Sequence, residues 1–174
     1  MGLDEEEVEK RVREAASFTG VDEELFTKSP LELSGGQKRR IAIAGVMAMR
    51  PSVLILDETT AGLDPAGCRQ IMDNIKKYRE LTGATVIIVS HNMDDAASFA
   101  ERILVFDHSR LVMDGTPEEV FSKPQELIEI GLSVPRPTAI AMALREKGLE
   151  LPASIYTHEQ LQEADIKLRE AKNA

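Results

Sequence analysis

Val53-Leu54-Ile55-Leu56-Asp57-Glu58 is the stretch that decides the fold. Four apolar residues with no polar alternation read as a strand buried on both faces, and such strands belong to parallel sheets. Thr85 to Val89 (TVIIV) is a second run of this kind, rich in β-branched residues. Between them, Pro65 to Leu81 reads as a helix, with proline near its start and Gly83 just past its end. Strand, helix and strand make one βαβ unit, so the class is α/β.

Working outward, Asp4 to Ala16 (DEEEVEKRVREAA) predicts a helix. Acidic residues fill its first turns and Lys10, Arg11 and Arg13 follow, the order that the helix dipole favours. Val21 to Pro30 is a short polar connector. Ser34 to Met49 is the next helix. Ser34 can cap it, Gln37 completes a capping box, and Arg50-Pro51 ends it. Downstream, Ile103 to Phe106 and Leu111 to Met113 are short strands around Asp107-His108-Ser109-Arg110, a hairpin. Thr116-Pro117 opens a helix over Glu118 to Ser122. Pro135 and Pro137 mark a linker. Helices follow over Thr138 to Lys147 and from Thr157 to Lys172, the second with Thr157 and Gln160 as a capping box.

The chain has 174 residues, enough to bury a core, and 43% hydrophobic with 29% charged residues is a globular composition. Thirty acidic against 21 basic residues leave a net charge of −9, which argues against a nucleic-acid-binding surface. Cys68 stands alone, so an internal disulfide is impossible and a cysteine-based zinc site is not expected. The apolar stretch Ile41 to Met49 falls far short of the roughly 20 residues that cross a bilayer. The first fifteen residues are mostly charged and do not read as a signal peptide. The expectation is a chain of a reducing compartment that reaches any membrane from the cytoplasmic side, through a partner.

Three patterns carry chemistry. Leu33-Ser34-Gly35-Gly36-Gln37 opens a helix, where the first backbone N–H groups have no internal partner. Two glycines let a phosphate approach closely and Ser34 adds a hydroxyl, which makes an anion site; the plainer reading is an ordinary capping box. Asp57 and Glu58 end a buried strand, where ligands of open α/β sheets bind. Asp57 is placed to hold a hydrated Mg²⁺ beside a nucleotide phosphate, and Glu58 to polarise or deprotonate an attacking water. The plainer reading is two acids capping the next helix. Val89-Ser90-His91 puts a histidine after the second strand. If the two strands are neighbours, His91 lies near Glu58 and can hydrogen-bond a γ-phosphate; alone, such a histidine is usually structural. In Ala61-Gly62-Leu63-Asp64-Pro65, Gly62 permits a tight turn, and Asp64 either caps the following helix or contacts a second subunit. His108 and His158 carry only a structural reading.

LSGGQ, then VLILDE, then AGLD, then a buried strand ending in His91, resembles the ATP-binding cassette (ABC) ATPases. The resemblance identifies Leu33 to Gln37 as the signature motif, Asp57 as the Mg²⁺-associated residue of the Walker B strand, Glu58 as the catalytic carboxylate, Asp64 as the D-loop residue and His91 as the switch histidine. It implies ATP hydrolysis between two such domains packed head to tail. Gly115 to Phe121 (GTPEEVF) resembles ABC importers. His91 to Ala96 (HNMDDA) and Gly131 to Pro137 (GLSVPRP), followed by Ala141 to Arg145, are similar to the ATP-binding subunits of energy-coupling factor (ECF) transporters. Those subunits pair with a transmembrane coupling protein and a substrate-binding membrane protein to import vitamins or transition-metal ions. The implied partners are therefore a second ABC subunit, identical or related, and those two membrane proteins. The implied location is the cytoplasmic side of the cell membrane.

The family's phosphate loop, G-x-x-x-x-G-K-[ST], has no match: none of the eleven glycines is followed by lysine. No glutamine precedes Gln37 to serve as the family's γ-phosphate sensor, and the adenine-stacking aromatic has no counterpart. The expected fold is thus a partial P-loop NTPase fold of the ABC type, N-terminally truncated, with a mostly parallel sheet. Residues 1–50 correspond to part of a helical signature subdomain. Residues 51–130 correspond to the later part of the ATPase core, and 131–174 to a C-terminal helical extension. The isolated chain is expected neither to bind MgATP tightly nor to hydrolyse it, and to expose an apolar sheet edge and face. Thr59 replaces the proline usual after the acid pair, and Cys68 reads as a packing residue. The alternative to an enzyme subunit is a non-catalytic fragment that docks on an intact ABC partner. A DNA-repair or chromosome-structure ATPase shares LSGGQ but carries heptad coiled coils that are not visible here.

Overall fold

The computed structural model describes residues 2–60 and 64–173. They form two compact units, Met1–Ser90 and His91–Ala174.

The first unit opens with α1 (Glu5–Thr19). Asp4 caps it by accepting from the Glu7 N–H at 2.8 Å, and Gly20 closes it in the left-handed conformation at φ 65°. The polar connector contains two short 3₁₀ turns, Glu23–Leu25 and Pro30–Glu32. Helix α2 (Gly35–Ala48) follows, then β1 (Val53–Asp57), α3 (Pro65–Thr82) and β2 (Thr85–Val89). Helix α1 packs on α2 and α3. Ala16, Val21, Leu25 and Leu33 form a buried cluster there, with Ile41 against it. Tyr78 of α3 is buried, stands edge-on to Phe18 at 5.8 Å, and donates its hydroxyl to the Met47 carbonyl at 3.4 Å. One side chain thereby joins three helices.

Strands β1 and β2 pair in parallel, with Val53 opposite Thr85 and Asp57 opposite Val89. The βαβ unit is present, but burial on both faces of β1 is not. Leu54 and Leu56 are 1% and 6% exposed, whereas Val53 and Ile55 between them are 49% and 64% exposed. Ile87 and Val89 of β2 are also open. A strand's side chains alternate between faces, so a cover on one side buries every second residue. The composition of β1 suits two covered faces, and the described residues cover one.

The second unit starts with α4 (Met93–Phe99), a helix that the sequence reading does not assign, followed by β3 (Ile103–Asp107) and β4 (Arg110–Gly115). The strands form the expected antiparallel hairpin. His108 and Ser109 take φ of 43° and 61°, the mirror-image turn that matches strand twist. Thr116 and Glu119 box the start of α5 (Pro117–Phe121), and α6 (Pro124–Glu129) follows. Helices α7 (Arg136–Glu146) and α8 (His158–Asn173) complete the unit. Its core contains Ala97, Val105, Val120, Phe121 and Leu127, with Leu132, Val134 and Tyr156 packed against them. Ala141, Ile155 and Ala164 form a second cluster, where buried Thr138 donates to the Ile155 carbonyl at 2.7 Å. Pro135 and Pro137 are fully buried, which corrects their reading as a linker. They stiffen the entry to α7 and fill core space. No helix among the described residues is long and apolar enough to cross a membrane.

Candidate functional site

Ser34 caps α2 from an extended conformation, φ −65° and ψ 161°. Its Oγ accepts from the Gln37 N–H at 3.3 Å, and the Gln37 side chain accepts from the Ser34 N–H at 2.9 Å. Both arms of the capping box therefore close. Leu33 is buried just ahead and anchors the turn, while Ser34 and Gly35 are exposed. A Cβ added to Gly35 would meet nothing within 4 Å, so the helix mouth opens onto free space. The first-turn amides of Gly35 and Gly36 have no partner one turn back. This arrangement can receive an anion.

Asp57 ends β1, and both Asp57 and Glu58 are exposed. Glu58 is one of four non-glycine residues with positive φ among the described residues, at 46°. Its N–H donates to the Val89 carbonyl at 2.9 Å, which continues the ladder one residue past the strand and fixes this unfavourable backbone. The strand that carries the acid pair and the strand that leads to His91 are thus hydrogen-bonded neighbours, the condition set from the sequence. Thr59 comes next and is 5% exposed, and its hydroxyl has no hydrogen-bond partner among the described residues. Sequence reasoning notes that Thr59 stands where proline is usual; its burial is visible only in three dimensions.

Asp64 caps α3, accepting from the Gly67 N–H at 2.6 Å. Cys68, one turn in, is half-buried and its Sγ lies 3.5 Å from the Thr60 carbonyl. The tight turn read at Gly62, with Ala61 and Leu63, lies outside the described residues. His91 is exposed and opens the second unit. Asn92 caps α4, accepting from the N–H groups of Asp94 and Asp95 at 3.0 and 3.3 Å. Sequence reasoning has Asn92 and Asp94 only within the HNMDDA run and gives neither a role of its own. An Asn ahead of paired acids is the signal for such a cap.

Among the described residues no three His, Cys, Asp or Glu side chains converge into a metal cage. Mg²⁺ at a nucleotide site needs none, since one or two carboxylates suffice beside phosphate oxygens and water. The exposed carboxylates at Asp57 and Glu58 fit that demand.

The ABC transporter family profile matches residues 3–61. The chain is 49% identical to the energy-coupling factor transporter ATP-binding protein EcfA2 of Caldanaerobacter subterraneus subsp. tengcongensis, over 99% of this chain and 61% of that protein. It is 46% identical to EcfA2 of Clostridium tetani, over 97% of this chain and 59% of the relative. The chain therefore spans about three fifths of the length of these curated relatives. Among solved structures, cbiO1 from Clostridium perfringens, part of the ABC transporter complex cbiONQ, superposes with a TM-score of 0.65 at 40% identity. That match covers 82% of this chain and 56% of cbiO1. The ATP-binding cassette MJ0796, solved as a dimer in a post-hydrolysis state with ADP and Pi, gives 0.60 at 32% identity over 67% and 50% of the two chains. The ordered motifs, the relatives and the superpositions agree: the chain is similar to the ATP-binding cassette proteins and, among them, to the ECF transporter ATP-binding proteins.

Proposed function

We propose that the chain is part of an ATP-hydrolysing subunit of an ECF-type importer, peripheral to the cytoplasmic face of a cell membrane. The observation that carries this reading is the mouth of α2, where a closed Ser34–Gln37 box holds an exposed, unobstructed Gly35. A triphosphate held by a second ABC subunit, identical or related, fits such a mouth. The further partners are a transmembrane coupling protein and a substrate-binding membrane protein; the latter selects the vitamin or metal ion carried. No nucleic acid is involved, in keeping with the acidic charge.

Each residue has a defined task in this reading. Ser34, Gly35, Gly36 and Gln37 form the anion-binding turn offered to the partner's nucleotide, and Asp64 fixes the start of α3 at the subunit interface. Asp57 would hold Mg²⁺, which when bound neutralises charge on the β- and γ-phosphates. The Glu58 carboxylate takes a proton from the attacking water, on a backbone held by the Val89 carbonyl. His91 donates an N–H to the γ-phosphate. In a second reading the chain only docks on an intact ABC subunit and lends its signature turn, for which the closed Ser34–Gln37 box suffices.

Complementation tests both. An intact ECF-type ATPase whose own signature serine is replaced should recover turnover when this chain is added, and Ser34→Arg in the chain should remove the recovery. An inert wild-type chain, or a Ser34→Arg chain that works equally well, would defeat the proposal. Calorimetric titration of the chain alone should show no tight MgATP binding. Micromolar affinity would overturn the assignment of the nucleotide to the partner's phosphate loop.

A further inference from the structure

Helix α7 has no cap of its own. Its N-cap residue is Pro135, which offers no side-chain acceptor, and Pro137 in its first turn has no N–H. The acceptor comes from another element. Asp94, in the first turn of α4, places Oδ1 2.7 Å from the Arg136 backbone N–H, and its Oδ2 lies 3.3 Å from Arg136 Nε. The Arg136 side chain is 83% exposed, so its ion pair is weak beside the short charge-assisted bond to the backbone.

Asp94 belongs at the same time to the turn that carries His91. Its own N–H is held by Asn92, the residue after His91. Its carbonyl accepts from Ser98 Oγ at 2.8 Å. The inner face of α4 lies in the core that Leu132, Val134 and Tyr156 also enter. The start of α7 is therefore bonded to the histidine turn through one carboxylate and packed against the same helix through its lead-in segment.

We propose that Asp94 is a positioning residue for His91: by capping α7 it makes the orientation of the histidine turn depend on the docking of the segment from Gly131 onward. The inference rests for its functional meaning on His91 as the γ-phosphate contact. Its test reads geometry alone, so a failure of that reading and a failure of this one give different results.

The chain contains three histidines, His91, His108 and His158, whose ring resonances serve as one probe and two internal controls. Asp94→Ala should shift the His91 ring signals, leave His108 in place, and speed exchange of the Arg136 amide about tenfold, the loss expected for one charge-assisted bond. Asp94→Asn keeps an acceptor oxygen and should restore most of both effects. Arg136→Ala keeps the N–H and should resemble wild type. Arg136→Pro removes the N–H at a first helical position that tolerates proline, and should reproduce Asp94→Ala even if that variant folds poorly. An unmoved His91 ring in Arg136→Pro, with α7 protection lost, would reduce the contact to a simple cap and overturn the proposal. A full effect from Arg136→Ala would overturn it too, by assigning the link to the exposed ion pair. Loss of turnover on His91→Ala in an assembled transporter addresses only the role of the histidine.

Discussion

At the start of α2, Ser34 and Gln37 satisfy each other within four residues of chain. At the end of β1, Glu58 depends on a carbonyl from β2, on the far side of α3, and takes a left-handed backbone that a glutamate disfavours. Thr59 beside it buries a hydroxyl with no partner among the described residues. The signature turn is built from local chemistry and is near its optimum. The acid pair is built by strand pairing and stores strain, as sites of chemistry tend to do. The first should survive wherever its helix forms, and the second only while both strands stand in register.

The largest test uses adjacent residues on opposite faces of β1. Leu54 is 1% exposed and Ile55 is 64% exposed. Leu54→Ala should cost about 2–5 kcal/mol by opening a cavity, and disorder the acid pair first. Ile55→Ala should cost well under ~1 kcal/mol in the dilute chain. Urea midpoints, with amide exchange at Glu58 and at Gln37, measure both. Equal costs would mean that the outer face is covered in solution, and the one-sided burial of the sheet would have to be abandoned.

The end of β1 should gain where the start of α2 loses. Thr59→Val keeps the shape and removes the unpartnered hydroxyl, so it should stabilise the fold by about 1–2 kcal/mol. A destabilised Thr59→Val chain would show that the hydroxyl has a partner in solution. Ser34→Ala should cost about 1 kcal/mol, the usual loss for an N-cap serine. Exchange should quicken at the Gln37 amide and stay unchanged at Glu58. Faster exchange at both positions would break the claim that the two ends are independent.

What could be read in the sequence follows the same division. The caps at Ser34, Asp64, Thr116 and Thr157 span three or four residues, and the structure has each of them. Strand partners were legible as a βαβ unit because the two apolar runs flank one helix. One-sided burial of β1 was not, because Ile55 and Leu56 are equally apolar and only the layer above decides which is hidden. Helices α4 and α6 are seven and six residues long, too short for an apolar period to declare itself. Pro135 and Pro137 look like linker residues in sequence and are core residues in space, since nothing local records that Thr138 will bond to Ile155. The left-handed backbone of Glu58 carries no sequence signal, because glutamate is a poor choice for it.

The smallest expected effect concerns the joint between the two ends. Arg50 connects α2 to β1 and reaches back to α1, with Nη2 2.6 Å from Glu14 Oε2 and Nη1 3.6 Å from Glu7 Oε1. Glu7 also accepts from Arg11 Nε at 2.7 Å. The Arg11 hydrogen bond chiefly, and then the nearby charges of Arg11 and Arg50, hold the Glu7 carboxyl below its ordinary range despite some desolvation. A carboxylate depressed in the folded state binds its proton less readily there than in the unfolded chain. Its contribution is complete above the unfolded value of about 4.3 and is lost as pH falls through the folded one. Urea midpoints should therefore drop as pH falls below that value, and Arg11→Ala should flatten the drop. The Arg11 and Glu7 side chains are half-buried, so the difference between wild type and Arg11→Ala should shrink only in part in high salt. If the acid slope survives both Arg11→Ala and salt, the charge joint does not hold the start of α2 and the end of β1 together. Their common stability then rests on the Tyr78 contacts among α1, α2 and α3.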